Sequence, residues 1–261
     1  MENIQLFDSH CHYNDDKFNS DRDEIIKQNI AQGITKAVVA GYSQEGSKQA
    51  IQIAEKYPQN LYATVGISPN DVDNIDLDQI EKMAKNPTVV AIGEIGLDYY
   101  WNKENKDLQK ETFIKQIELA NKLNLPIVIH TREATMDTIE ILNNNPVNNK
   151  GIFHCCPLNQ ELIKEAVELD YYISFSGSIT FKNSKNADQC IKLVPQNRIL
   201  IETDSPYMTP EPLRGQRNTP ANVKYTAQKV AEVLELPLEK VAELTYKNAM
   251  RIFKIENEKD K

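Results

Sequence analysis

FDSHCH, residues 7–12, follows the apolar run Ile4–Phe7 and sets two histidines one residue apart where a strand should end. In an extended chain, residues i and i+2 point to the same side. His10 and His12 can therefore grip one ion while Cys11 faces away. Seven further short apolar runs follow this one: Ala37–Ala40, Leu61–Val65, Val89–Ile92, Ile127–Ile129, Ile152–Phe153, Tyr172–Phe175 and Ile199–Ile201. Most are continuous or β-branched rather than alternating, as strands covered on both faces should be. Helical periods fill the gaps: Phe113, Ile117, Ala120 and Leu123; then Leu162, Ile163, Ala166 and Val167; then Ala187, Cys190, Ile191 and Val194. Two more follow the eighth run, one through Val223, Ala227, Val230, Ala231 and Leu234, the other through Leu238, Val241, Leu244, Ala249 and Ile252.

Strands alternating with helices imply βαβ units and a parallel sheet. Eight such units predict an α/β chain folded as one (β/α)8 TIM barrel over residues 1–261, a length close to the roughly 250 residues such barrels take. An open doubly wound sheet is the competitor. No glycine-rich phosphate loop follows the first strand, which weakens it.

The chain has only four histidines, and all stand at predicted strand ends. His10 and His12 follow the first strand, His130 the fifth and His154 the sixth. Glu94 ends the fourth and Asp204 the eighth. In a barrel this is the rim where catalytic groups gather. The eighth strand lies beside the first, so Asp204 can join His10 and His12 on one ion. His130 and His154 on neighbouring strands can hold a second, with Glu94 bridging both. Imidazole and carboxylate donors suit zinc, manganese, iron or nickel without choosing among them. Asp8 and Glu202 are candidates to orient these ligands or simply to be buried and hydrogen-bonded.

The composition narrows the partners. A net charge of −8 repels nucleic acid as a whole, so an anionic substrate must be held by a local patch or by bound cations. Arg132, Arg214 and Arg217 are candidates for bidentate phosphate contact, and Lys182 and Lys185 are weaker ones. Tyr99, Tyr100 and Trp101, beside Glu94, could stack a base or pack over the barrel mouth; Tyr207 is undecided. Four cysteines without a Cys-x-x-Cys pair read as reduced thiols. No apolar run approaches the roughly 20 residues of a membrane span, and residues 1–5 lack the features of a signal peptide. A cytoplasmic protein with no membrane association and no obligate protein partner is expected, with a charged, frayed tail after Ile255.

FDSHCH, GEIGLDYY (93–100), LPIVIHTRE (125–133), IETDSPY (201–207) and LRGQRNTP (213–220) together resemble the TatD deoxyribonuclease family, metal-dependent hydrolases of the broader amidohydrolase-like barrel group. Gln109, Phe113 and Gln116 also fit. The resemblance runs from residue 7 to residue 220. It implies hydrolysis of DNA phosphodiester bonds, often from a 3′ end or on single strands, with two divalent ions (zinc, manganese, magnesium, iron or nickel). His10, His12, Glu94, His130, His154 and Asp204 would be the ligands, Glu94 and Asp204 the catalytic carboxylates, and Arg132, Arg217 and Asn218 the substrate neighbours. Two stretches depart from the family. Gly66-Ile67-Ser68-Pro69-Asn70 has Ser68 and Asn70 where the family has histidines, and His154 is followed by Cys155-Cys156-Pro157-Leu158 rather than Cys-Phe-Ser-Gly. A hydrolase of a small amide, lactone or ester on the same barrel, or a silent binding barrel, are the alternatives.

Overall fold

The computed structural model describes residues 4–73 and 75–256; most of the tail discussed above, residues 257–261, lies outside them. Eight parallel strands run in chain order: β1 (Leu6–Cys11), β2 (Ile34–Val39), β3 (Leu61–Val65), β4 (Val89–Asp98), β5 (Ile127–Arg132), β6 (Gly151–Phe153), β7 (Tyr172–Phe175) and β8 (Ile199–Ile201). The helices between them are α1 (Arg22–Ala31), α2 (Gln44–Lys56), α3 (Leu77–Met83), α4 (Lys106–Leu123), α5 (Thr135–Asn144), α6 (Gln160–Glu168) and α7 (Ala187–Leu193), followed by α8 (Val223–Leu234) and α9 (Leu238–Ile252). The sheet bends round until β8 meets β1: the Asp204 N–H donates to the His10 carbonyl at 3.0 Å, and the His12 N–H to the Ser205 carbonyl at 2.7 Å. The expected (β/α)8 barrel is the fold.

Two apolar layers hold it. The outer one lies between sheet and helices, with Val39, Val65, Ile95, Ile129 and Phe153 against Ile26, Ile80, Phe113, Leu162 and Val230. The other gathers Phe7, Val38, Val90, Val128, Ile152, Tyr172 and Leu200, one residue from each of seven strands, and is closed by Ala249, Met250 and Phe253. Phe253 stacks on Phe7 with ring centres 6.1 Å apart. The amino end of the barrel is thus plugged with hydrocarbon, which leaves the carboxyl end for chemistry.

Two strand bounds differ from the sequence reading. β1 runs to Cys11, so His10 sits within it, and its register against β2 shifts between Asp8 and Cys11. β4 does not stop near Ile92 but continues through Glu94 to Asp98, every residue buried. Gly93 and Gly96 make that possible. A Cβ at Gly93 would meet the Val128 Cβ at 2.6 Å, and one at Gly96, where φ is +136°, would meet the His130 carbonyl oxygen at 2.0 Å. The glycines mark close backbone approach, not a strand end.

Candidate metal centre

All six predicted ligands converge at the carboxyl end of the barrel. Their side-chain atoms fall into two groups that share Glu94. Nε2 of His10 lies 3.2 Å from Nε2 of His12, and Asp204 Oδ1 is 3.2 Å from His12 and 3.8 Å from His10. Glu94 Oε2 reaches this group at 3.5 Å from His10 and 3.9 Å from His12. Its other oxygen, Oε1, lies 2.9 Å from Nδ1 of His130 and 3.3 Å from Nε2 of His154. Those two nitrogens are 3.2 Å apart. The donors of His10, His12 and Asp204 lie within 4.8 Å of one another, as do those of His10, Glu94 and His154. The groups are therefore close neighbours, with the His10 and His154 rings stacked at 3.9 Å.

The donor set fits divalent cations. Ligands about 2.0–2.1 Å from a tetrahedral ion stand roughly 3.3 Å apart, and the spacings above bracket that value. The charge balance points the same way. Glu94, Asp98 and Glu202 are buried around the cluster, and among the cavity-lining residues Arg132 is the one Lys or Arg. Buried charges need partners. Burial alone would raise the Glu94 pKa, but His154, His10 and His130 outweigh it and hold the carboxyl well below its usual range. Asp204 is likewise lowered: burial opposes ionisation, and His12 and its neighbours prevail. Both carboxylates are thus ionised acceptors at neutral pH.

Buried groups behind the cluster set its orientation. Asp98 Oδ2 stands 3.0 Å from Nε2 of His130, which turns Nδ1 of that ring toward Glu94. Sequence reasoning missed Asp98, although it lies four residues beyond Glu94 in the quoted GEIGLDYY and shares its strand face by parity. Glu202 Oε1 accepts the Cys155 N–H at 2.6 Å and lies 3.5 Å from Nδ1 of His154. Asp8 instead accepts from the Thr203 N–H at 2.9 Å and from the Thr203 hydroxyl, and so ties β1 to the residues after β8. Burial pushes its carboxyl well above the usual range.

The cluster forms the floor of a cavity of about 840 Å³. Arg132, Trp101, Asn70 and Tyr207 rise around it, and Cys155, Cys156, Pro157, Leu158 and Met208 make an apolar wall. The Arg132 guanidinium lies over the Tyr100 ring at 3.9 Å and 5.5 Å from that of Trp101. Tyr99 is buried and donates its hydroxyl to Asp137 at 2.6 Å, so it is a packing residue. Tyr207 donates to Asp15 at 2.6 Å and carries Lys17 over its ring.

Two expected substrate neighbours do not face this cavity. Arg217 turns to α1, giving Asp21 a two-pronged bond of 2.9 and 2.6 Å and the Lys17 carbonyl a third of 2.7 Å. Asn218 is buried and donates to the carbonyls of Thr203 and Tyr207 at 3.0 and 2.6 Å, which pins the chain after β8. Arg214 lies over Phe181, and Lys182 and Lys185 are exposed away from the cavity lining. Ser68 donates to Asp71 at 2.9 Å, whereas Asn70 lines the cavity.

The TatD related DNase family model matches residues 7–254. A metal-dependent hydrolase of uncharacterised role from Bacillus subtilis, YabD, is 41% identical over 254 residues, covering 96% of this chain and 99% of that one. A second, YcfH of Escherichia coli, is 34% identical over 256 residues, covering 96% of each. The crystal structure of YJJV, a TatD homologue from Escherichia coli, superposes with a TM-score of 0.91 at 26% identity, over 97% of this chain and all of that one. With matches that span nearly its whole length, the chain belongs to the TatD related DNase family of metal-dependent hydrolases.

Proposed function

We propose that the chain hydrolyses phosphodiester bonds in DNA, removing nucleotides from a single-stranded or 3′ end, with two divalent ions held by His10, His12 and Asp204 on one side, His130 and His154 on the other, and Glu94 between. The observation that carries the reading is Glu94, whose two oxygens divide between the two donor groups, at 3.5 Å from His10 and 2.9 Å from His130. Ions bound there supply Lewis-acid activation of water, toward a pKa of about 7, and offset charge on the phosphoryl oxygens.

The protein's own groups do the rest. Asp204, less buried than His10 and facing the cavity, accepts the proton of the attacking water, a role its ionised carboxylate fits. Arg132 meets a non-bridging phosphate oxygen with a charge-assisted hydrogen bond. Trp101, 69% exposed, offers its face to the terminal base. The apolar wall from Cys155 to Leu158 lowers the polarity of that side of the cavity, which strengthens charge interactions beside it.

A second reading, hydrolysis of a small amide, lactone or ester at the same centre, draws on the single guanidinium in the cavity lining and on neutral Asn70 beside it. Incubation with a 5′-labelled single-stranded oligonucleotide decides between them. The DNA reading expects shortening from the 3′ end that stops with EDTA and resumes with added manganese or zinc. Intact oligonucleotide together with turnover of a small ester would favour the second reading.

A further inference from the structure

Asp98 touches the metal centre and the cavity rim at once. Its side chain is fully buried at the end of β4. Oδ2 faces Nε2 of His130 at 3.0 Å, while Oδ1 accepts the backbone N–H groups of Tyr100 and Trp101 at 2.9 and 3.0 Å. A carboxylate only accepts, so Nε2 of His130 donates its hydrogen to Asp98, which leaves Nδ1, 2.9 Å from Glu94 Oε1, as the ring atom that would bind a cation. Gln109 clamps the same residue from α4: the Asp98 N–H donates to Gln109 Oε1 at 2.8 Å, and Gln109 Nε2 donates to the Asp98 carbonyl at 3.1 Å. The β4–β5 register pairs Asp98 with Arg132, whose guanidinium covers the Tyr100 ring. One carboxylate therefore joins a ligand on the cavity floor to the turn that carries the exposed Trp101.

We propose that Asp98 is a positioning residue that couples cation loading at His130 to the placement of the Tyr100–Trp101 turn. The proposal rests on the metal-centre reading above. A cation at Nδ1 fixes the His130 ring, the ring fixes the carboxylate, and the carboxylate fixes the turn that meets the substrate. Coupling of this kind is reciprocal, so a nucleotide base held against Trp101 tightens cation binding by the same factor that the cation tightens base binding.

Trp101 is the only tryptophan in the chain, so its fluorescence reports the turn without a label. Chelator-stripped protein is titrated with zinc while bound metal and Trp101 emission are followed together. In the wild type the emission should change in step with uptake. Asp98→Asn keeps an oxygen for the Tyr100 and Trp101 N–H groups but offers His130 an N–H in place of an acceptor. Its metal-free emission should match the wild type, its zinc affinity should fall by about 10–100-fold, and the emission should no longer follow uptake. Wild-type zinc uptake that leaves Trp101 unmoved would overturn the coupling even if the Asn variant failed to fold. So would an Asn variant that binds zinc and shifts emission as the wild type does. A wild type that binds no zinc would strike down the metal-centre reading itself, and the coupling with it.

Discussion

The floor and the rim of the cavity are built in opposite ways. The floor takes His10 from β1, Glu94 from β4, His130 from β5, and His12, His154 and Asp204 from the residues just beyond β1, β6 and β8. Each lies in a strand or within three residues of its carboxyl end, where the closed sheet brings the strand ends together. Apart from Arg132 at the end of β5, the rim takes its residues, Trp101, Asn70 and Tyr207, from connections, where each side chain is free to serve the fold instead. Arg217, in the connection after β8, shows the outcome: the same guanidinium that suits a phosphate suits Asp21 just as well, and Asp21 holds it. The closed sheet therefore fixes where a floor residue sits, while a rim side chain's direction depends on competing local partners.

The largest effect should come from the floor. Glu94→Gln or Asp204→Asn is expected to lower kcat on the order of 10³-fold or more, with an unchanged circular dichroism spectrum. Activity within tenfold of wild type in either variant would break the distinction. On the rim, Arg132→Ala should cost about 1.5–3 kcal/mol in kcat/KM, the range for a hydrogen bond to a charged group, and mostly in KM. Trp101→Ala should cost about 1–3 kcal/mol on an oligonucleotide and nothing on a small ester, which would sharpen the boundary between base recognition and chemistry. The smallest effect should be that of Arg217→Ala. With its guanidinium spent on Asp21, KM should stay within about twofold of wild type, accompanied by a small fall in Tm. A tenfold rise in KM would return Arg217 to the substrate.

The same contrast explains what the sequence made legible. The continuous β-branched runs announced strands buried on both faces, and chain-order alternation announced the barrel. The six floor residues followed because they stand at strand ends. Asp98 escaped notice because Gly93 and Gly96 resemble punctuation, and only the packing against Val128 and His130 reveals that β4 runs on through them. Arg217 and Asn218 point away from the cavity for another reason. Motif identity names a residue type, whereas the direction of a loop side chain depends on Asp21, Thr203 and Tyr207, far away in sequence or invisible to local pattern.

The central claim is that six side chains from separate parts of the chain form one cation-binding floor divided by Glu94. Calorimetric titration of chelator-stripped protein with manganese or zinc, checked by elemental analysis of the dialysed complex, tests it directly. The account predicts two ions per chain in the wild type and weaker, incomplete loading in Glu94→Gln. A wild type that binds none, or a Glu94→Gln variant that loads both ions with wild-type affinity, would contradict it.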